Sequence, residues 1–281
     1  PEPSLLVGFL NDNRVNAYER FVEQLLADPR YGEHQARYWL DAVRYGDTHG
    51  LHLDNRRGIY PYRDWVVRAL NNNLPIDRFI EWQLAGDLHS KPTTEQLIAT
   101  GFVRMNPSTA EGGVIPAEFQ AKNNFDRTET LGTVFLGMSM LCSRCHTHKY
   151  DPITQTEYYQ LMAFFNSTSE GPLDGNKYEY APVIKVPKDQ VSWSDWLKLT
   201  TERDELISEA ASIFNSVKSL RSDTKKKWSK SDEVARLAMV VDENEEWKKN
   251  DLSIYNNAKA LSKSIENAQK AFTTTLIAKE L

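Results

Sequence analysis

Apolar side chains recur every three or four residues along most of the chain, which is the spacing of amphipathic helices. In the first 170 residues this pattern predicts helices near 18–26, 39–43, 65–70 and 76–84, and another that runs from residue 126 into the stretch 140–153. Pro75 and Gly86 stand where a helix begins and ends. Thr154 and Glu157 have capping-box spacing, so a helix is expected to begin there.

The last part of the chain has a different, heptad-like pattern. Apolar residues recur every seven positions in two series, called ladders here, and the second series is offset from the first by three residues. A later segment has apolar residues at alternating spacings of three and four. Together these patterns predict a long antiparallel helical hairpin that turns near residues 221–234. The ladder positions are Trp196, Ala210 and Val217; Leu199, Leu206, Ile213 and Leu220; and Ile254, Ala258, Leu261, Ile265, Ala268 and Phe272. Such a hairpin is most simply a packing spacer, with a partner-docking arm as the alternative.

A shift in composition divides the chain. All six histidines lie between His34 and His148, and neither proline nor glycine occurs after Pro187. We therefore predict a mainly α protein with a multi-helix domain with long loops over 1–170, a linker over 171–190 and the hairpin over 191–281. The chain has no initiator methionine and ends within a helical pattern, so we expect a segment of a longer polypeptide that lacks part of the first domain and a further C-terminal domain.

Composition narrows the class of protein. The chain has 281 residues, 40% hydrophobic and 26% charged, which is typical of a folded globular protein. The net charge of −5 argues against a nucleic-acid partner, since such partners require a basic face. No apolar run approaches eighteen residues, so we expect no membrane span.

The stretch "MLCSRCHTHKYDPI", residues 140–153, holds both cysteines of the chain. Cys142, Cys145 and His146 fit C-x-x-C-H, in which two thiols bind one haem covalently and the histidine is the axial iron ligand. Two alternatives remain open. With His148, these residues could supply four zinc ligands, although four within seven residues would be strained. The two cysteines could also form a redox dithiol, but no βαβ unit is predicted around them.

The residues after the motif have open roles. His148 could donate a proton at the haem edge or contact a propionate, and it could equally be a hydrogen-bonded turn histidine. Lys149 and Asp151 could contact propionates or simply lie at the surface. The sequence assigns no distal iron ligand. Met105 is a weak candidate, and Met138 and Met140 are expected in the core.

Several long stretches, in order, resemble the secreted planctomycete cytochrome-c-like domain family over residues 1 to about 170: "ADPRYGEHQARYWLDAVRYGDTHG", "YPYRDWVVRALNNNLPIDRFIEWQLAGDL", "IATGFVRMN", "EGG" and "DRTETLGTVFLGMSMLCSRCHTHKYDPITQTEYYQLMAFFNSTSE". The resemblance implies haem c on Cys142 and Cys145, export from the cytoplasm, and a hairpin that links to a second domain. Thr147 departs from the family's "CHDHKYDPI", so a carboxylate is missing beside the motif. The family is common in bacteria that degrade complex polysaccharides, which suggests carbohydrate chemistry by association only.

Other candidates lie in "RYGDTHGLHLDNRRG" and "YRDW". The resemblance puts Asp47 and Asp54 in the site region. Arg63 could clamp a propionate or contact substrate, or form an ion pair at a helix N-terminus. For His49 and His52 a solvated polar loop is the simpler interpretation, although either could act as a base or a distal ligand.

Three functions follow. The first is an exported haem c oxidoreductase acting on a small organic or carbohydrate substrate, with Asp47, Asp54, Arg63 and His148 as catalytic candidates. The second is an electron-transfer module with six-coordinate haem, and the third a structural or binding module stapled by haem or zinc. Expected partners are the remaining parts of the same polypeptide or complex, a redox partner, and a second copy of the chain.

Overall fold

The computed structural model describes residues 2–51, 53–214, 222–241, 247–248 and 251–280. This part of the chain is mainly helical, as the sequence predicts. None of its helices combines the length and the apolar character that crossing a membrane requires.

The elements follow in chain order. The helices are α1 (Pro3–Leu10), α2 (Ala17–Leu26), α3 (Arg30–Ala42), α4 (Tyr60–Asn71), α5 (Ile76–Ala85), α6 (Thr94–Ala99), α7 (Pro116–Leu136), α8 (Gln155–Phe165), α9 (Gln190–Phe214), α10 (Ser222–Ser229), α11 (Glu233–Val241) and α12 (Leu252–Lys270). Short 3-10 turns cover Gly86–Leu88, Thr100–Arg104 and Leu141–Arg144. Strands β1 (Val183–Val186) and β2 (Thr273–Leu276) pair as a two-stranded sheet.

The chain forms two compact units. The first comprises Pro1–Ile184 and Thr274–Leu281, and the second comprises Lys185–Thr273. The sequence-based boundaries lie at 170 and 190, with the hairpin continuing to 281. In the structure residues 274–281 belong to the first unit instead. The division into a haem-binding domain, a linker and a hairpin remains a prediction.

Helix α4 lies at the centre of the core of the first unit. The polar groups of the aromatic residues there form hydrogen bonds inside this core. Trp65 is buried and stacks on Phe79 with ring centroids 5.2 Å apart. The hydroxyl of Tyr62 donates to Oε1 of Gln83 at 2.6 Å, and the indole N–H of Trp39 donates to the Tyr62 oxygen at 3.1 Å. These bonds offset the cost of burying the polar groups.

The end of the chain contributes to this core. Leu276, Ile277 and Ala278 are buried. The Ile277 carbonyl accepts from Nη1 of the buried Arg104 at 2.8 Å, and the Ala278 N–H donates to Oγ1 of Thr100 at 2.9 Å. The first unit is therefore completed by residues far along the chain from the rest of it.

The predicted helix entering the cysteine motif differs in the structure. Helix α7 begins at Pro116, so Asp126 lies inside the helix, where it pairs with Arg44. The helix ends at Leu136 because Gly137 adopts a left-handed φ of 62° as its C-cap. The motif thus lies on a separate turn and not on a continuation of α7.

In the second unit, α9 and α12 pack together, and α11 packs on both. Of the predicted ladder positions, Leu206 and Ala210 of α9 are buried with Ile254, Ala258 and Leu261 of α12 in one apolar cluster. Val217, Leu220 and the side chain of Ile213 lie outside the described residues. Apolar spacing therefore correctly predicted the packed faces of these two long helices.

Gly86 provides a first test of the packing in the first unit. A Cβ at this position would lie 2.2 Å from the backbone oxygen of Gln96, which has no freedom to move aside. We expect Gly86→Ala to lower the free energy of unfolding by about 1–3 kcal/mol, as overpacking does. Chemical denaturation followed by circular dichroism measures this change. Gly112→Ala is the control because nothing lies within 4 Å of the added atom, and equal stabilities of the two variants would contradict the expectation.

Candidate functional site

The C-x-x-C-H motif forms one compact turn. Its residues Leu141–Arg144 make a 3-10 turn, and the backbone N–H groups of Cys145 and His146 both donate to the Cys142 carbonyl, at 3.2 and 3.3 Å. Met140, just before it, is buried in a cluster with Ile153 and Tyr158. Met140 therefore anchors the turn to the apolar cluster beneath it.

The turn directs its reactive side chains outward. Cys142 and Cys145 are free thiols, and both are exposed, as is His146. Ser143, between the cysteines, is buried. Two thiols and an imidazole are thus accessible from solvent on five consecutive residues.

The imidazole of His146 has a defined tautomer. Its Nδ1 lies 2.8 Å from the carbonyl oxygen of Thr147. Because a carbonyl can only accept, Nδ1 is the donor in this contact, and in the neutral imidazole Nε2 then carries the lone pair. No hydrogen bond within the described residues involves Nε2. A ring nitrogen oriented in this way is suited to bind a metal.

Arg144 connects the turn to two helices. Its guanidinium pairs with Glu129 of α7 and lies over the ring of Phe125, with Cζ 4.3 Å from the centroid. Its carbonyl accepts from Nε2 of Gln155 at 3.2 Å and from the hydroxyl of Tyr159 at 3.0 Å, both on α8. The middle of the motif is thereby fixed, while the thiols on either side remain exposed.

His148 makes the hydrogen bonds of a turn residue. Its Nδ1 accepts from the backbone N–H groups of Tyr150 at 3.2 Å and Asp151 at 2.7 Å. The proton is therefore on Nε2, which lies 3.5 Å from Oγ of Ser139. Only 5% of the side chain is exposed. This geometry gives His148 a structural role in the turn, and a catalytic role for it remains a prediction.

Asp151 and Lys149 have separate surroundings. The carboxylate of Asp151 accepts from Oγ of Ser139 at 2.8 Å and from its N–H at 3.0 Å, and these bonds lower the pKa of Asp151. The Lys149 ammonium is 5.2 Å from the ring centroid of Tyr150. The two residues do not pair with each other. Lys149 makes no ion pair within the described residues and extends from the turn.

The four residues proposed as zinc ligands are not gathered around one point. His148 has Nδ1 engaged by two backbone donors, whereas Cys142, Cys145 and His146 face solvent. In the part of the chain that the structure describes, no three histidine, cysteine or acidic side chains are placed to hold a metal ion together. A four-ligand zinc knuckle would require the turn to rearrange.

The other catalytic candidates serve local contacts. The Tyr45 hydroxyl donates to Asp47. Burial is the largest cause that raises the pKa of Tyr45, and this hydrogen bond is the second. Arg63 pairs with Asp64 at 2.8 Å. This is the ion pair at a helix N-terminus that the sequence offers as the alternative to a propionate or substrate contact. Asp54 accepts from the Gly50 N–H at 2.8 Å. No hydrogen bond or ion pair of the described residues joins the three candidates to the motif.

His49 is not in a solvated loop, so that interpretation of it is wrong. Its side chain is 2% exposed, its Nε2 donates to the Lys177 carbonyl at 2.9 Å, and its Nδ1 lies 3.5 Å from Oδ2 of the buried Asp174. These partners lie more than a hundred residues along the chain, so no local pattern reveals them. His52 lies outside the described residues.

Two buried arginines have partners that the sequence does not indicate. Arg57 donates to the carbonyls of Gly46, Met105 and Asn106, at 3.1, 3.2 and 2.9 Å, and burial lowers its pKa. Arg127 forms an ion pair with Glu170. Met105, the weak axial candidate, is itself buried in this core. The polar network therefore holds loops together inside the first unit.

Fold and site together define a mainly helical protein with an exposed turn of two thiols and one imidazole. The family model described as PSCyt2, protein of unknown function (DUF1549), matches residues 1–170, so the chain belongs to this family. The matched region includes the whole C-x-x-C-H turn. No curated protein and no solved structure matches the chain.

Proposed function

We propose that this chain is a c-type haem protein in which Cys142 and Cys145 hold the haem covalently and His146 is an axial iron ligand. The observation that carries the proposal is the geometry of the turn: both thiols are exposed, and the imidazole keeps Nε2 available because Nδ1 is bonded to the Thr147 carbonyl. Membership of a family whose name contains "Cyt" is consistent with it.

The residues present fit the group. Thioether formation requires two accessible thiols at this spacing, and axial ligation requires an unprotonated ring nitrogen. Leu141, just before the motif, and Tyr150, shortly after it, expose large side chains whose apolar surface a porphyrin could cover. When bound, haem would supply one-electron redox chemistry and a site for small ligands.

The chain's own residues have defined tasks in this proposal. The Thr147 carbonyl orients the imidazole of His146, and Arg144 fixes the turn on α7 and α8. Lys149, whose ammonium extends from the turn, is proposed to neutralise a propionate. Asp151 is the other candidate for a cofactor contact. Its carboxylate accepts from Ser139, and through this bond it would also hold the conformation of the loop.

We propose further that the protein is an exported oxidoreductase acting on a small organic or carbohydrate substrate. The matched region spans 170 residues, more than the roughly 100 residues of an ordinary small domain, which supports an enzyme over a minimal electron carrier. Asp47, Asp54, Arg63 and His148 remain its catalytic candidates. A redox partner and the remaining parts of the same polypeptide or complex are its proposed partners.

The test is to express the chain with an export signal in cells that attach haem c, and to measure covalent haem by intact mass and by the reduced pyridine adduct spectrum. We expect one haem per chain. The variant Cys142→Ser/Cys145→Ser should carry no covalent haem, and His146→Ala should change the position and intensity of the Soret band. His34→Ala, an exposed histidine elsewhere, is the matched control. Wild-type protein without haem would overturn the proposal.

Carbon monoxide distinguishes the enzyme from the electron carrier. An enzyme with an exchangeable sixth position is expected to show a shifted Soret band when the reduced protein meets the gas. An unchanged spectrum would assign two strong axial ligands and support the electron-transfer module instead.

A further inference from the structure

A pocket of about 470 Å³ opens in the first unit, with none of its lining residues in the cysteine motif. Its wall comes from one face of α3, the end of α4 with the turn that follows, the start of α5, and a single residue of α7. The lining residues are Tyr31, Gln35, Tyr38, Trp39, Ala42, Ala69, Leu70, Asn73, Leu74, Ile76, Phe79 and Val134. This volume is within the range of roughly 300–1,000 Å³ that small-molecule sites occupy.

The aromatic floor of the pocket is held rigidly. The rings of Trp39 and Phe79 meet edge to face with centroids 4.9 Å apart, and Phe79 stacks on Trp65 behind it. The indole N–H of Trp39 is directed inward, to Tyr62 and Gln83, at 3.1 and 3.2 Å. The floor therefore presents a fixed aromatic surface, mainly that of Trp39, to whatever enters.

Polar groups at the pocket have spare hydrogen-bonding capacity. Tyr31 and Tyr38 contribute hydroxyls, and Gln35 and Asn73 contribute amides. None of these four side chains makes a hydrogen bond within the described residues. Tyr38 is largely exposed at the rim. An apolar lining that also carries a few unengaged neutral donors and acceptors is typical of a site that fixes a ligand's orientation.

No charged side chain lines the pocket, although 26% of the chain is charged. Arg37 does not line the pocket, although its Cζ lies 5.6 Å from the centroid of the Tyr38 ring. A charged ligand would lose its hydration here without gaining an ion pair, which is unfavourable. The lining also contains no histidine, cysteine or methionine that could bind haem iron.

We propose that this pocket binds a neutral, ring-bearing organic molecule with hydroxyl or amide groups. One face of the ring would stack on Trp39, beside Phe79, and its polar substituents would bond to the tyrosine hydroxyls and side-chain amides. The proposal is independent of the haem assignment, since it uses none of the residues of the motif.

Ligand-observed NMR on the full chain tests it with two matched sets of probes. One set is benzyl alcohol, benzoate and benzylamine; the other is methyl glucoside, glucuronate and glucosamine. We expect the neutral member of at least one set to bind at least tenfold more tightly than its charged partners. The set that responds identifies the ring as aromatic or as a pyranose.

Variants locate the binding. Tyr38→Ala and Gln35→Ala should each weaken binding of the neutral probe several-fold, whereas Tyr18→Ala, an exposed tyrosine on α2, should leave it unchanged. Equal binding of charged and neutral probes, or no response to Tyr38→Ala, would overturn the proposal. Self-association of the chain that Tyr38→Ala abolishes would do so too, because the face would then be an interface between copies.

Discussion

A chain that ends at Thr273 should fail to fold its first unit. The deletion removes Leu276, Ile277 and Ala278 from the core, and burying one large aliphatic side chain contributes about 1.5–3 kcal/mol. It also removes the Ile277 carbonyl, which accepts at 2.8 Å from Nη1 of the buried Arg104, and leaves that donor only the Pro182 carbonyl at 3.4 Å. A hydrogen bond to a charged group contributes roughly 1.5–3 kcal/mol. The sum is comparable with the whole stability of an ordinary domain, about 5–15 kcal/mol.

The matched control deletes the second unit and keeps the end of the chain. Because β1 and β2 pair, a short Gly-Ser linker from Val186 to Phe272 replaces the segment between them. Near-ultraviolet circular dichroism of the aromatic core and a thermal melt report on both variants. We expect a cooperative melt from the linked variant and none from the first unit of the truncated chain. Equal melts of the truncated and intact chains would show that the last residues are dispensable.

Replacing Arg127 by methionine should cost about 3–5 kcal/mol, because it leaves the carboxylate of Glu170 buried without its partner. Both side chains are only 2% exposed. Nη2 of Arg127 also donates to Oδ1 of Asn106 at 3.3 Å, so a second buried polar group loses a bond. Urea denaturation at neutral pH measures the change.

Two further variants separate the charge effect from loss of packing. Arg127→Met/Glu170→Met removes both charges and should recover part of the lost stability, since no uncompensated ion remains. Lys122→Met breaks an exposed ion pair with Glu118 on α7 and should change stability by no more than about 0.5 kcal/mol. A double variant no more stable than Arg127→Met would show that the guanidinium matters for its shape and not for its charge.

Local signals predicted the parts of the fold that depend on neighbouring residues. Thr154 and Glu157 form the capping box at the start of α8, and Pro75 and Gly86 bound α5. In each case the hydrogen bonds or backbone angles involved lie within a few residues, so the sequence alone carries the information. The C-x-x-C-H spacing is local in the same sense and was readable directly.

Contacts between distant segments were not predictable. The Arg127–Glu170 pair joins α7 to the segment after α8, and β2 pairs with β1, which precedes helices α9 to α12 in the chain. Neither polar periodicity nor composition indicates such partners. His49 shows the consequence: its polar neighbours in sequence predict a solvated residue, whereas a carboxylate far along the chain pairs with it in the core.

The return of the chain into its first unit has a consequence for biosynthesis. A polypeptide leaves the ribosome from its N-terminus, so the segment that fills the core beside Arg104 and Thr100 emerges only after residues 185–273. We expect the helical insertion to acquire structure while the earlier part of the chain is still open. In the function proposed above, Cys142 and Cys145 would then be presented for haem attachment on an incompletely folded chain, and closure of the core would follow.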